Sequence, residues 1–279
     1  MRRRAMNRVG DKPGVRRILI GAGVVLTLLF LVAPVLVVFV RALSAGIGAY
    51  AQNLAAPDTL HAIWLTVLTV LVVLPVNLLF GLAAAWAITR FSFRGKPFLV
   101  TLIELPFSVS PIVAGVIYLF LYGAQGLLGP WLQQYDLRIM FSFPAIILVS
   151  LFVTSPYVAR ELIAFMQTQS SEDEEAARSL GASGWQMFWR VTLPNIRWAL
   201  LYGAILCSAR TIGEFGAVSV VSGNIRGQTN TLPLQVELLY NDYNAAGAFA
   251  AASVLALIGL LTIVLKALLE QFGPGTRNE

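Results

Sequence analysis

The sequence predicts an all-α, polytopic membrane protein with six transmembrane helices. Three observations carry that expectation: an apolar composition, six long apolar segments, and basic residues gathered on alternate loops. Of the 279 residues, 57% are hydrophobic and only 12% are charged. The mean hydropathy of +0.75 lies outside the usual range of soluble domains. The net charge of +6 does not point to nucleic acid, because the basic side chains stand at the ends of apolar stretches and not on a polar face with interleaved aromatics. Cys207, the single cysteine, falls inside an apolar segment, so neither a disulfide framework nor a cysteine zinc site is available.

A bilayer core takes roughly 20 apolar residues per helix, and the six segments are 18–40, 62–88, 98–122, 144–165, 198–221 and 247–269. The first is longer than the apolar region of a signal peptide and lacks a small-residue cleavage pattern, so it is expected to remain as a helix. Pro75 is expected to interrupt the second. Glu104, Pro106, Ser108, Ser110 and Pro111 crowd the first half of the third, and a broken helix is tolerated only against protein or water. The chain therefore divides into a basic tail at 1–17, one membrane domain at 18–270 with a long loop near 170–195, and a short tail at 271–279.

Alternating the loops places the N-terminal cluster, Arg90, Arg94, Lys96, Arg160, Arg178, Arg190, Arg197 and Lys266 on one side, against Arg41, Arg138 and Arg226 on the other. The positive-inside rule makes the first side cytoplasmic, with both termini there. The N-terminal arginines are a topology signal that anionic membrane lipid would also attract.

The loop between the fourth and fifth segments is too long for a turn. Ser171 followed by Glu174 is a capping-box pattern, and Glu172, Asp173, Glu174 and Glu175 fall where a helix dipole favours negative charge. A helix should start near Glu172 and stop at Gly181. Ser183 can cap a second short helix whose apolar face is Trp185, Phe188 and Trp189, with Pro194 ending it.

These residues carry a resemblance. Glu175-Ala176-Ala177, then Gly181 three residues on, then Val191-Thr192-Leu193-Pro194 after nine more, resembles the signature of the permeases of bacterial ATP-binding-cassette importers. The single departure is Val191 where the family carries Ile. The resemblance implies the type I importer permease fold, with Glu174, Glu175, Ala176, Ala177, Gly181, Leu193 and Pro194 forming the element that couples to a cytoplasmic ATPase dimer. It also implies that ATP and Mg are used by that ATPase. This chain has no phosphate-cradling GxxxxGK[ST] segment, and no cofactor is expected on it.

The stretch from Cys207 to Ser253, with its GEFG core, Val221–Gly223 and Leu232–Gln235, is similar to the W-type permeases of sulfate/thiosulfate importers. That resemblance implies a paralogous T-type permease partner, a periplasmic sulfate-binding protein and a multi-pass location in the bacterial inner membrane. Molybdate or tungstate permeases share the GEFG core and stand as the alternative. An ATP-independent secondary anion transporter is the rival from another class, although no inverted repeat is visible.

Inside the membrane, Arg210 and Glu214 are four residues apart and should meet on one helical face, with Gly213 and Gly216 allowing close approach beside them. Two roles stay open for this pair: a cation facing an anion path, or an ion pair that fixes the interface between permeases. Glu104, Ser108 and Ser110 form a second candidate cluster. His61 has no metal-ligand neighbours at suitable spacing and is expected to be solvated.

Overall fold

The computed structural model describes residues 13–169 and 172–272, and all regular structure among them is helical. Residues 1–12, Ser170, Ser171 and residues 273–279 lie outside the described residues. Most of the expected basic tail and the Ser171 cap therefore lie outside as well.

The first helix begins at Pro13, inside the stretch expected to be tail. Proline suits a first helical position, where its missing N–H has no partner to lose. It runs as α1 (Pro13–Thr27), a π-turn (Leu28–Val32) and α2 (Ala33–Leu43). The π-turn sits immediately before Pro34, with the Ala33 N–H donating to the Leu28 carbonyl, so the ladder shifts register just where proline removes a donor. After α3 (Ile47–Ala55) comes α4 (Pro57–Arg90), which passes through Pro75 without a break, contrary to the expected interruption. A single lost hydrogen bond does not end a helix of 34 residues that is packed along its length.

The third apolar segment is not one straight span. It divides into α5 (Lys96–Ser108) and α6 (Pro111–Tyr122), bent by 106° where the chain turns extended at Val109 and Ser110. A short α7 (Gly129–Gln134) leads to α8 (Phe143–Thr168). The long loop holds α9 (Glu172–Ser179) and α10 (Gly184–Met187), and a second π-turn (Phe188–Thr192) opens into α11 (Leu193–Ile212). The fifth apolar segment also breaks: α11 stops before Gly213 and α12 (Gly216–Val221) resumes after it. The chain closes with α13 (Leu232–Asn241) and α14 (Ala245–Phe272).

Among the described residues, four helices are long and apolar enough to cross a membrane, or five if the bent pair is one span. The difference from the six expected lies in the fifth segment, which is split at Gly213, Glu214 and Phe215.

The core forms where α4, α8 and α11 pack side by side. Val158, Leu162, Met166, Ile196 and Cys207 fill one cluster, while Ile146, Val149, Ala217, Val218 and Val221 fill another against α6 and α12. Gly81 is required where α4 crosses α8: a Cβ there would lie 2.6 Å from Val158 Cγ1 and 2.9 Å from the Ala159 backbone nitrogen. Asn77, fully buried in α4, ties the three helices together. Its amide donates to Thr154 Oγ1 on α8 at 2.7 Å and reaches Cys207 Sγ on α11 at 3.6 Å. Small residues for close approach and polar side chains as interhelical links are the means by which helices associate in lipid.

Candidate functional site

Two regions hold the candidate residues: the loop carrying α9 and α10, and the facing breaks in the apolar helices. In the loop, α9 starts at Glu172 as its four leading acids require. It stops in a Schellman arrangement, with the Gly181 N–H donating to the Arg178 carbonyl and the Ala182 N–H to the Ala177 carbonyl, each at 3.0 Å. Gly181 has φ +82°, the left-handed value that such a stop demands, while nothing crowds its Cβ position. Its role is backbone freedom and not space. Ser183 and Gln186 then exchange the two bonds of a capping box, which starts α10.

Pro194 does not end this second helix, contrary to expectation. The π-turn at Phe188–Thr192 delivers the Leu193 N–H to the Phe188 carbonyl, and the helix continues through Pro194 into α11. Pro34 and Pro194 are thus accommodated by the same device, a π-turn ending two residues earlier. The elbow at Gly181 is therefore the sharp corner between α9 and α10.

The four acids of α9 divide into two pairs. Glu174 turns back to the membrane domain: its Oε2 lies 2.8 Å from Arg90 Nε at the end of α4, and its Oε1 accepts from Thr192 Oγ1 at 2.9 Å. Asp173 accepts from Asn195 Nδ2 at 3.1 Å. Glu172, Glu175, Ala176, Arg178 and Leu180 are exposed, with Glu175 and Arg178 bordering the space next to Arg90. Leu180 is 89% exposed and Trp185 69%, an apolar tip on a charged loop. Of the neighbours Glu174 and Glu175, the first is half-buried against α4 and the second is exposed. The Arg90 partner lies 84 positions away along the chain, and no local pattern announces it.

Cavities of about 370 Å³ and 230 Å³ flank the Arg90–Glu174 contact, the first bounded by Gln169, Asn195 and Arg197 and the second by Trp86, Phe91 and Arg178. No residue of α9 is buried, so polar contacts and not a packed face hold it.

In the membrane domain, Arg210 and Glu214 do meet, with Nη1 and Oε2 2.6 Å apart. Glu214 has left the helix, however, and its Oε1 accepts from the Ala217 N–H at 2.9 Å, so it brackets the gap between α11 and α12. Glu214 is 2% exposed, whereas the Arg210 side chain keeps 28% of its surface free. Gly216 provides close approach: a Cβ there would stand 3.2 Å from Pro111 Cβ and from Ile112 Cγ1. The break at 213–215 therefore faces the break at 109–110. Gly213 serves differently, ending α11 with its N–H on the Ala209 carbonyl and bordering a small cavity beside Pro233 and Gly259.

Glu104, Ser108 and Ser110 are all exposed along α5 and the bend. Ser110 occupies the cap position of α6 without using its hydroxyl as a cap. His61 is not simply solvated, because its Nε2 lies 3.3 Å from the Gln228 carbonyl and joins α4 to the loop between α12 and α13. That loop is braced from within by Ser222, Asn224 and Thr229, and by the Arg226–Asp242 ion pair. Arg160, counted among the loop arginines in the sequence, lies within α8 instead, with its guanidinium carbon 5.5 Å from the centre of the Phe107 ring.

Comparison with known proteins gives this geometry its setting. Residues 77–275 match the family described as binding-protein-dependent transport system inner membrane component. The chain is 57% identical over 252 residues to the sulfate transport system permease protein CysW of Escherichia coli K12, covering 90% of this chain and 87% of that one. It is 46% identical to sulfate permease 2, chloroplastic, of Chlamydomonas reinhardtii, covering 92% and 70% respectively. It is 31% identical to the sulfate transport system permease protein CysT of Escherichia coli K12, covering 91% and 92%. Among solved structures, a chain of a bacterial alginate ABC transporter in complex with an alginate pentasaccharide-bound periplasmic protein superposes with a TM-score of 0.76 at 16% identity, covering 91% and 92%.

Proposed function

This chain belongs to the family of binding-protein-dependent transport system inner membrane components, and from that premise we propose that it is a permease subunit of an ATP-driven sulfate/thiosulfate importer. The observation that carries the anion is the 57% identity, over most of both chains, to a protein named as a sulfate permease. The observation that carries the machine is α9, a charged helix braced against α4 through Glu174, with an exposed face that includes Glu175 and Ala176 and with Leu180 exposed just past its end.

In this reading a cytoplasmic ATPase dimer receives that outer face, and closure on ATP and Mg moves α9. Glu174 and Arg90 pass the movement to α4, while Leu193 and Pro194 pass it to α11. A paralogous T-type permease completes the path, as the 31% match to a second kind of sulfate permease supports. A periplasmic sulfate-binding protein delivers the anion. Both termini face the cytoplasm, with the N-terminal arginines as the topology signal, a charge cluster that anionic lipid would attract.

For the Arg210–Glu214 pair, the bracket at α12 supports a structural duty for Glu214, leaving the partly exposed Arg210 to meet the anion. Uptake of radiolabelled sulfate by cells that lack their own W-type permease and express this chain tests the assignment. Sulfate uptake that requires ATP and resists excess molybdate is the expected result. Uptake abolished by molybdate supports the alternative substrate, and uptake without the ATPase overturns the importer reading. Glu175→Arg, with membrane insertion verified, should abolish ATP-dependent uptake.

A further inference from the structure

We infer that Arg160 is a cationic station on the anion path, at the level where α5 bends away from α6. The inference rests on the reading of the chain as an anion permease and adds a residue and a depth to it. Arg160 is exposed on α8, a helix long and apolar enough to cross the membrane, and among the described residues no carboxylate lies within ion-pair distance of it. A charge in that position is costly against lipid, and such groups face a bundle interior or a water-filled cavity.

The direction of the side chain excludes the simplest escape. Side chains on a helix lean toward its N-terminus, and α8 runs toward the end that carries α9. Arg160 accordingly leans away from the coupling-loop end. Its guanidinium rests near the face of Phe107, at the far end of α5, and Phe107 in turn meets Tyr157 edge-on at 5.1 Å. Phe107 lies eleven residues beyond Lys96, about 16 Å along the helix at 1.5 Å per residue. A side chain snorkelling to the interface would point the other way.

The surroundings suit an anion that passes without being trapped. Ser108 and Ser110, both exposed, stand at the adjoining bend, where the α5–α6 break faces the α11–α12 break whose Glu214 holds Arg210. Glu104 lies one turn below Phe107 on α5, is exposed, and forms no ion pair with Arg160. A carboxylate near an unpaired guanidinium competes with a bound dianion and shortens its stay. Discontinuous helices that meet near mid-membrane are where transporters commonly hold their cargo.

The complete importer, with its partner permease, ATPase and binding protein, is the material for the test. In liposomes, Arg160→Gln should lower maximal sulfate uptake about tenfold, equivalent to about 1.4 kcal/mol. Stimulation of ATP hydrolysis by the loaded binding protein should persist, and Arg160→Lys should recover most of the uptake. In a Cys207→Ser background, Arg160→Cys should react with charged, membrane-impermeant methanethiosulfonate reagents admitted to both faces of the membrane, and sulfate should slow the reaction. Uptake unchanged in Arg160→Gln overturns the inference. So does a cysteine that only a lipid-permeant maleimide reaches, or loss of copurification with the partner permease in both Arg160→Gln and Arg160→Lys, which would mark an interface contact. If the unaltered importer carries no sulfate, the functional reading fails instead, and the labelling still reports whether water surrounds position 160.

Discussion

Glu174 and Arg90, 84 positions apart in the chain, stand 2.8 Å from each other and form the ion pair that joins α9 to the end of α4. Their side chains are 11% and 17% exposed, so solvent screens the pair only in part. Removing the charge with Glu174→Gln should loosen α9 by about 1 kcal/mol, the scale of a partly screened ion pair. Hydrogen exchange over residues 172–179 should quicken accordingly, and ATP hydrolysis should run with less transport. The swap Arg90→Glu with Glu174→Arg should return part of the coupling, and a swap no better than the single changes would argue against a direct link.

Gly181 separates backbone strain from crowding, because its φ is +82° and its Cβ position is open. Gly181→Ala should cost about 1 kcal/mol through the left-handed backbone alone. Gly181→Asn, which tolerates that region, should cost less. Uptake assays on both variants order them, and an alanine variant as good as wild type would remove the stop at Gly181 from the mechanism.

Gly81 poses the opposite case, since a Cβ would meet Val158 and the backbone of Ala159 within 3 Å. Gly81→Ala should force α4 away from α8 and lower stability by about 1–3 kcal/mol, as overpacking does. Thermal unfolding in detergent reads the shift, and Gly23→Ala, whose Cβ position within α1 is open, is the control that should lose no stability.

Asn77 links α4, α8 and α11 through Thr154 and Cys207. Asn77→Leu should destabilise by about 0.6–1.7 kcal/mol, the range of polar contacts between membrane helices. Cys207→Ser, which keeps an acceptor beside the amide, should be nearly silent in the same unfolding measurement.

The long spans and the loop helices were legible because they depend on local patterns. Apolar runs announce α4, α8 and α14, and the acids at 172–175 announce the start of α9. The meeting of Arg210 and Glu214 follows from their spacing, although the chain is no longer helical at Glu214. The features that escaped depend on register or on distance. A π-turn before Pro194 leaves no compositional mark, so proline read as a helix end. Arg160 read as a loop residue because charge counting assigns such an arginine to the nearest loop, whereas the packing of α5 along α8 is what sets Phe107 beside it. Arg90 and Glu174 meet only once α4 and α9 are folded.

The cavities on either side of that last contact give α9 an unequal stiffness. With no buried apolar face of its own, the helix is held at discrete points, Glu174 on Arg90 and Thr192, and Asp173 on Asn195, and resists displacement along those lines more than movement into the spaces of about 370 and 230 Å³ beside them. How much of a partner's stroke arrives at α4 depends on the angle at which it pushes, as well as on its force.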